Sequence, residues 1–292
     1  MVCNLSPVYD AFVHWLKRQT PLPPPLILYL ADSVTLGAKV PWQKKLRYRF
    51  KPLVYPEAAM LSFFDACVAT SRTTEKLFGP RRVPWLWLPN GCDAARALPP
   101  DQGPGEGAIQ FGYFGALSDH TGLPALLRLF AARKRAGTLH ICGFGKAKTK
   151  IEAACRMRPG LRFYGPRTPD ECLRFALNCD VLVNPRPLWP GNDNNFSSKV
   201  FEYALSGRAI LTSKVSGIDA VLGEKAYYFD EGDFERSLDR RLEELAAIPR
   251  TELRRRGAAI QERLLRHYSW AQQGEKLARF LERVVTPQSC QP

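Results

Sequence analysis

From Ala108 onward, short apolar runs alternate with longer amphipathic stretches. Strands are predicted at 109–114, 138–142, 161–164, 180–184, 209–213 and 226–229, and helices at about 122–135, 147–157, 169–178, 198–206 and 218–223. Strands this short, separated by helices of this length, imply right-handed βαβ crossovers around a parallel sheet. Three more helices, at about 235–247, 250–267 and 270–284, run to the end of the sequence. The first hundred residues are less regular. Pro7 to Arg18 reads as a helix that the prolines from Pro21 to Pro25 terminate. Leu26–Leu30, Ala66–Thr70 and Val83–Leu88 read as strands, Glu57–Phe64 and Thr73–Phe78 as helices, and Pro89-Asn90-Gly91 as a closing turn. The glycine-rich stretch Gly103-Pro104-Gly105-Glu106-Gly107 marks a domain boundary near residues 95 to 107. The expected class is α/β, with two Rossmann-like domains built on parallel sheets.

Composition narrows this picture. A chain of 292 residues, 45% hydrophobic, can bury one large core or two modest ones. Its eight cysteines form no CxxC pair, and Cys67, Cys142 and Cys179 sit inside apolar runs, so reduced interior cysteines and a cytosolic location are expected. His14, His120, His140 and His267 form no ligand cluster and no HExxH occurs, so no metal is expected. No apolar run approaches the ~20 residues that cross a bilayer, and the start lacks the apolar core of a signal peptide. The net charge of +14 favours anionic partners: a nucleotide, nucleic acid or an acidic membrane face. It is spread over Lys44-Lys45-Arg47-Arg49-Lys51, Arg81-Arg82, Lys146-Lys148-Lys150 and Arg254-Arg255-Arg256, which also fits plain solvated surface. Trp42, Phe50 and Tyr55 accompany the first run, which favours a membrane surface next, whereas no nucleic-acid-binding motif is present.

The chemistry concentrates between Cys179 and Ser213. A buried strand leads there into a long polar loop, a helix and a second buried strand, and the carboxyl end of a parallel strand is where open α/β sheets hold phosphorylated ligands. Arg186 and Lys199 would meet anionic oxygens, and Ser197 or Ser198 would cap the helix, leaving its first amides to face a diphosphate. Glu202, about one turn further on, suits the hydroxyls of a ribose; its plainer reading is a capping carboxylate, and that of Lys199 a solvated surface lysine. Asn192-Asp193-Asn194-Asn195 is too polar to bury unpaired. Gly112, Gly115, Gly143 and Gly145 cluster at strand ends in FGYFG and ICGFG, where a backbone approaches a ligand closely or simply turns; neither is a full GxGxxG. Ser213-Lys214-Val215-Ser216-Gly217 makes a second lip or an ordinary turn. Asp32 and His120 are candidates for the cleft, each with a local structural reading beside it, and His14 is read as helix packing.

These motifs resemble those of the retaining glycosyltransferases of GT-B fold, from about residue 25 to the C-terminus. Asp65–Ser71 (DACVATS), Leu88–Asp93 (LPNGCD), FGYFG at 111–115, Asn184-Pro-Arg186 and Ser197-Ser-Lys199-x-x-Glu202-Tyr-x-x-Ser206-Gly207 carry the resemblance. It implies a GT-B architecture: an incomplete N-terminal acceptor-side domain at 1–100, a nucleotide-sugar-binding domain at 108–268, and a last helix, 269–286, packing back onto the first domain. It also implies sugar transfer with retention, as in polysaccharide biosynthesis, from a nucleotide-diphosphate sugar to a saccharide or lipid-linked acceptor. Arg186, Lys199 and Asn194 take the catalytic positions, and Gly115, Gly143, Ser198, Lys199, Glu202 and Gly217 the donor-binding ones. Asn194 stands where the family has a glutamate; an amide hydrogen-bonds a sugar hydroxyl but is no charged base. Two or three βα units that open the family's first domain, with the acceptor-side histidine often found there, precede the point where this sequence starts. The expectation is either a fragment or shortened gene product, or a first domain completed by a protein partner. A non-catalytic nucleotide-sugar-binding subunit and a nucleotide-sugar epimerase are the alternatives. The location implied is the cytoplasm, at the inner face of the membrane, with no nucleic acid and no cofactor beyond the donor.

Overall fold

The computed structural model describes residues 2–3, 18, 25–30, 64–72, 83–100, 103–132, 137–188, 195–230 and 232–286. The chain divides into two compact units, one made of Met1–Pro89, Pro190–Phe196 and Ala271–Pro292, the other of Asn90–Trp189 and Ser197–Trp270. In the first unit a parallel sheet runs in the order β1 (Val2–Cys3), β2 (Ile27–Leu30), β3 (Ala66–Ala69), β4 (Trp85–Trp87). All of β3 is buried, as expected for a central parallel strand covered on both faces. Ile27, Ala66 and Val68 pack against Phe280 of the last helix, Trp270–Val285, whose Leu277, Leu281 and Val284 extend the contact. Asp65 ties the start of this sheet, its carboxylate accepting the Leu26 amide at 2.8 Å.

Three of these strands coincide with predicted ones. Val2–Cys3 was not expected, because two apolar residues carry no period. The helices read at 7–18, 57–64 and 73–78, the basic runs at 44–51 and 81–82, and Asp32 and His14 lie outside the described residues, apart from Arg18 and Phe64. So does Asn194.

The second unit follows the predicted alternation closely. Its strands are β5 (Ile109–Phe114), β6 (Gly137–Cys142), β7 (Leu161–Phe163), β8 (Val181–Asn184), β9 (Ala209–Thr212) and β10 (Tyr227–Tyr228), all parallel, in the order β7-β6-β5-β8-β9-β10. The helices are α1 (Leu123–Ala132), α2 (Lys148–Met157), α3 (Pro169–Ala176), α4 (Lys199–Leu205), α5 (Ile218–Leu222), α6 (Phe234–Ala246) and α7 (Arg250–His267). The stretch Gly103–Gly107 belongs to this unit. Phe111, Tyr113, Leu139, Ile141, Val181, Val183 and Leu211 alternate onto one face, where Leu126 and Phe130 of α1 and Leu238 and Leu242 of α6 close the core. The first strand in chain order lies mid-sheet, and the connection reverses between β5 and β8. A doubly wound sheet opens its ligand crevice at the carboxyl side of that reversal.

The β5–β8 ladder is short, pairing Phe111 with Val181 and Gly112 with Leu182. Side chains complete it at both ends. At its start, Asp180 accepts the Gln110 amide (2.8 Å) and the Arg250 guanidinium (2.9 Å), which also bonds the carbonyls of Gly107 and Ala108. Asp180 is almost fully buried and Arg250 about three-quarters so. Removing one member of a buried pair strands the other charge. Asp180→Ala is therefore expected to lower unfolding stability by about 3–5 kcal/mol, and Asp180→Asn, which still accepts from Gln110, by roughly half of that. Urea titrations of both variants check this, and an Asp180→Ala curve superimposed on the parent's would show the pair to be idle.

Candidate functional site

At the far end of the same ladder, β5 leaves β8 behind. The amide and carbonyl of Phe114 face the β8 side, and no strand meets them there. The Tyr203 hydroxyl takes both, accepting from the Phe114 amide (2.9 Å) and donating to its carbonyl (3.0 Å). The rings of Phe114 and Tyr203 also meet edge to face at 6.2 Å. This pair of hydrogen bonds fixes α4 against the end of β5. Lys199 lies four residues before Tyr203, so it projects from the same side of the helix.

The Lys199 ammonium donates to the Tyr113 hydroxyl at 3.0 Å and lies 4.5 Å from the centre of that ring. The Tyr113 hydroxyl in turn donates a hydrogen bond to the Ala116 carbonyl at 2.7 Å. Burial pushes the Tyr113 phenol up to about 12, so it remains a neutral hydroxyl. Burial, with the Arg186 charge second, pulls the Lys199 ammonium from 10.5 down to about 7. Arg186, itself buried after β8, thus bears electrostatically on both Lys199 and Tyr113. Two cations and a phenol gather at the switch point.

The backbone beside them is pared down. Gly115 has φ +142, and a β-carbon there would sit 3.1 Å from the Lys199 side chain. Gly143, at φ +154, would place one 1.9 Å from the Gly115 carbonyl, so only glycine lets the β5 and β6 loops lie together. The β5–α1 loop in turn reaches the Pro185 carbonyl, which stands 1.4 Å from where a Gly122 β-carbon would be. Asn184 frames the other side: its amide donates to Thr212 at the end of β9 (2.9 Å), and its carbonyl oxygen accepts the Ser197 hydroxyl (3.1 Å). All three of these side chains are buried.

Several expectations change. Neither serine caps α4 through its side chain: Ser198 stands at the cap position exposed and without such a bond, and Ser197 turns inward to Asn184. A buried Asn184 needing a partner decides this. Glu202 is exposed; its Oε1 accepts from Arg96 Nη1 at 3.2 Å, and its Oε2 lies 3.1 Å from Nη2 as an ion pair. Gly217 occupies a left-handed turn after β9, next to Ser216 at φ +64. His120 is exposed in the turn Asp119–Thr121. The roles of Tyr113, Tyr203 and Arg96 were missed: alternation marks Tyr113 as core, Tyr203 reads as a core or wall residue of its helix, and nothing in sequence links Arg96 to Glu202.

Other reactive groups are excluded by their surroundings. Burial and the Arg162 charge pull His140 down to about 4, and it is engaged by Gln110 (2.7 Å) and Tyr164 (3.0 Å). The described cysteines are unbridged, and burial pushes Cys67 up to about 12 and Cys92 to about 11. Among the described residues, no group of three or more His, Cys, Asp or Glu gathers to hold a metal ion.

Residues 108–247 match the family described as "Glycosyl transferases group 1". No curated protein sequence matches the chain. Solved structures do: sucrose-phosphate synthase from Thermosynechococcus elongatus is 15% identical, with a TM-score of 0.72 over 97% of this chain and 73% of that one. HepE of Anabaena, solved in complex with UDP and glucose, is 16% identical, with a TM-score of 0.69 over 95% and 75%. A glycosyltransferase from Rickettsia africae is 10% identical, with a TM-score of 0.70 over 98% and 77%.

The lowered Lys199 pKa has a consequence for stability. Between about 7 and 10.5 the unfolded chain binds more protons than the folded one, so this group makes stability rise with pH across that window. Below it, the cost of the desolvated charge is fully present. Lys199→Met is expected to melt about 2–4 °C above the parent near pH 6, with the gap closing toward pH 10. Scanning calorimetry at several pH values checks this; two parallel melting profiles would mean the charge is held without cost.

Proposed function

We infer that this chain, which carries a group 1 glycosyl transferase domain within a GT-B fold, is a glycosyltransferase that moves a sugar from a nucleoside diphosphate donor to an acceptor. The observation that carries the reading is the Lys199 ammonium held on Tyr113 beside Gly115 and Arg186, at the switch point of the sheet.

In this reading the diphosphate lies over Gly115 and Gly143, where the absence of side chains lets its oxygens approach the backbone. As the bond from the anomeric carbon to the diphosphate oxygen breaks, the electron pair stays on the diphosphate. Lys199 and Arg186 stabilise that growing charge from fixed positions, in surroundings dry enough to strengthen the interaction. The acceptor hydroxyl oxygen then bonds the anomeric carbon and its proton is released. Glu202 accepts from the ribose hydroxyls. Ser198 and Gly217 line the donor at the openings of α4 and α5, and Asn194 hydrogen-bonds the sugar. We propose retention of configuration and a saccharide or lipid-linked acceptor at the anionic inner face of a membrane. The +14 charge and the exposed Lys146, Lys148 and Lys150 favour such a surface.

Calorimetric titration of UDP, GDP and ADP tests the donor site. The parent is expected to bind one of them, and Lys199→Ala to weaken that binding about 10- to 100-fold, as expected for loss of a charge-assisted bond to phosphate. Equal binding by both proteins would remove the site. Consumption of the matching nucleotide sugar separates an enzyme from a binding subunit.

A further inference from the structure

We propose that Arg96 is a positioning residue for donor binding, fixing the Glu202 carboxylate so that its remaining lone pairs receive the two ribose hydroxyls; the inference rests on the ribose role given to Glu202 above. Arg96 ends the short turn Ala94–Arg96, in which the Asp93 carboxylate accepts the Ala95 amide at 3.0 Å. The chain is fastened on both sides of it. Before it, the Cys92 amide donates to the Tyr268 carbonyl (2.9 Å), and the Trp270 amide donates to the Cys92 carbonyl (3.0 Å). After it, the Leu98 amide donates to the Leu205 carbonyl at the end of α4 (2.8 Å). The Gln261 amide of α7 then bridges the carbonyls of Leu98 and Leu205, at 2.8 Å each. Arg96 therefore stands on backbone fixed to the same helix that carries Glu202.

Its guanidinium uses three nitrogens on two carboxylates. Nη1 donates to one oxygen of Glu202 at 3.2 Å, Nη2 faces the other at 3.1 Å as an ion pair without hydrogen-bond geometry, and Nε donates to Asp170 at 2.9 Å. Asp170 lies in the first turn of α3, which Thr168 and Glu171 close with reciprocal capping bonds. The stabilising energy of such a pair is small, because Glu202 is about half exposed. Its geometry is what matters. A glutamate on an exposed helix surface has several rotamers, and a planar guanidinium that bonds one oxygen and faces the other restricts both its direction and its plane. A carboxylate has about four lone-pair positions; the Arg96 hydrogen bond takes one and leaves lone pairs on both oxygens, enough for a vicinal diol. Ordering the carboxylate in advance removes an entropy cost from binding. A lysine at this place would supply charge without fixing the plane.

UDP, GDP and ADP, with their 2′,3′-dideoxy analogues, are titrated into the parent, Arg96→Ala, Arg96→Lys, Glu202→Gln and the Arg96→Ala/Glu202→Gln double variant. For the nucleotide the parent binds best, Arg96→Ala is expected to weaken binding about tenfold while leaving the dideoxy analogue unchanged. The double variant should be no weaker than Glu202→Gln alone. Arg96→Lys should show the same ribose-selective loss, and it serves where the alanine variant fails to fold. Equal weakening of the ribose and dideoxy forms, additive losses in the double variant, or no loss in Arg96→Ala would overturn the proposal. If the parent itself binds the two forms alike, the ribose role of Glu202 is what fails, and the positioning role falls with it.

Discussion

The second unit depends on how the backbone of one residue, Phe114, is satisfied where two strands part. Beyond Gly112 the β5–β8 ladder stops, and the amide and carbonyl of Phe114 remain facing that side. Buried backbone groups must find partners, and the Tyr203 hydroxyl, donor and acceptor at once, serves both. Since Tyr203 is on α4, the bond sets the position of that helix along the sheet. Lys199, one turn earlier, is thereby delivered to Tyr113 and Gly115. A requirement of sheet geometry has become the means of aiming a cation.

The charges are treated in two ways. Lys199 and Arg186 are drawn out of water at the strand ends, where each makes the other less comfortable and where an anion would relieve both. Glu202 and Arg96 remain nearer solvent as an ion pair, with their geometry constrained more than their energy is lowered. A site built this way gives up some stability for readiness, a common trade at functional positions. The frame around it contributes no charge: Asn184, Thr212 and Ser197 form a buried neutral chain that joins β8, β9 and the approach to α4.

Most of the second unit was legible in sequence because its strands are short, apolar and evenly spaced, and its turns are marked by glycine. Lys199 and Arg186 stood out as charges among apolar neighbours. Tyr113 did not, since its ring belongs to the core and only its oxygen reaches the site; alternation reports the ring. Arg96 was invisible for another reason: 106 residues separate it from Glu202, and no local pattern encodes that pairing. The capping role expected of Ser197 or Ser198 failed because local propensity yielded to a tertiary demand, the buried Asn184 carbonyl oxygen. Val2–Cys3 is too brief to carry a period, yet it pairs with β2.

Identities of 10–16% with TM-scores near 0.7 describe a fold held by backbone geometry under almost free exchange of side chains. The chemistry of this chain has to come from its own residues. Here the two levels meet at glycine: Gly143 is where the backbones of adjacent loops close to contact, and Gly115 lies bare beneath the Lys199 side chain. A side chain at Gly143 would push the loops apart, and one at Gly115 would crowd the Lys199 side chain directly. The fold therefore does more than hold the charged groups. Its tightest backbone contacts determine how near to the sheet they stand, and so how strongly the partly desolvated ammonium acts on whatever anion enters.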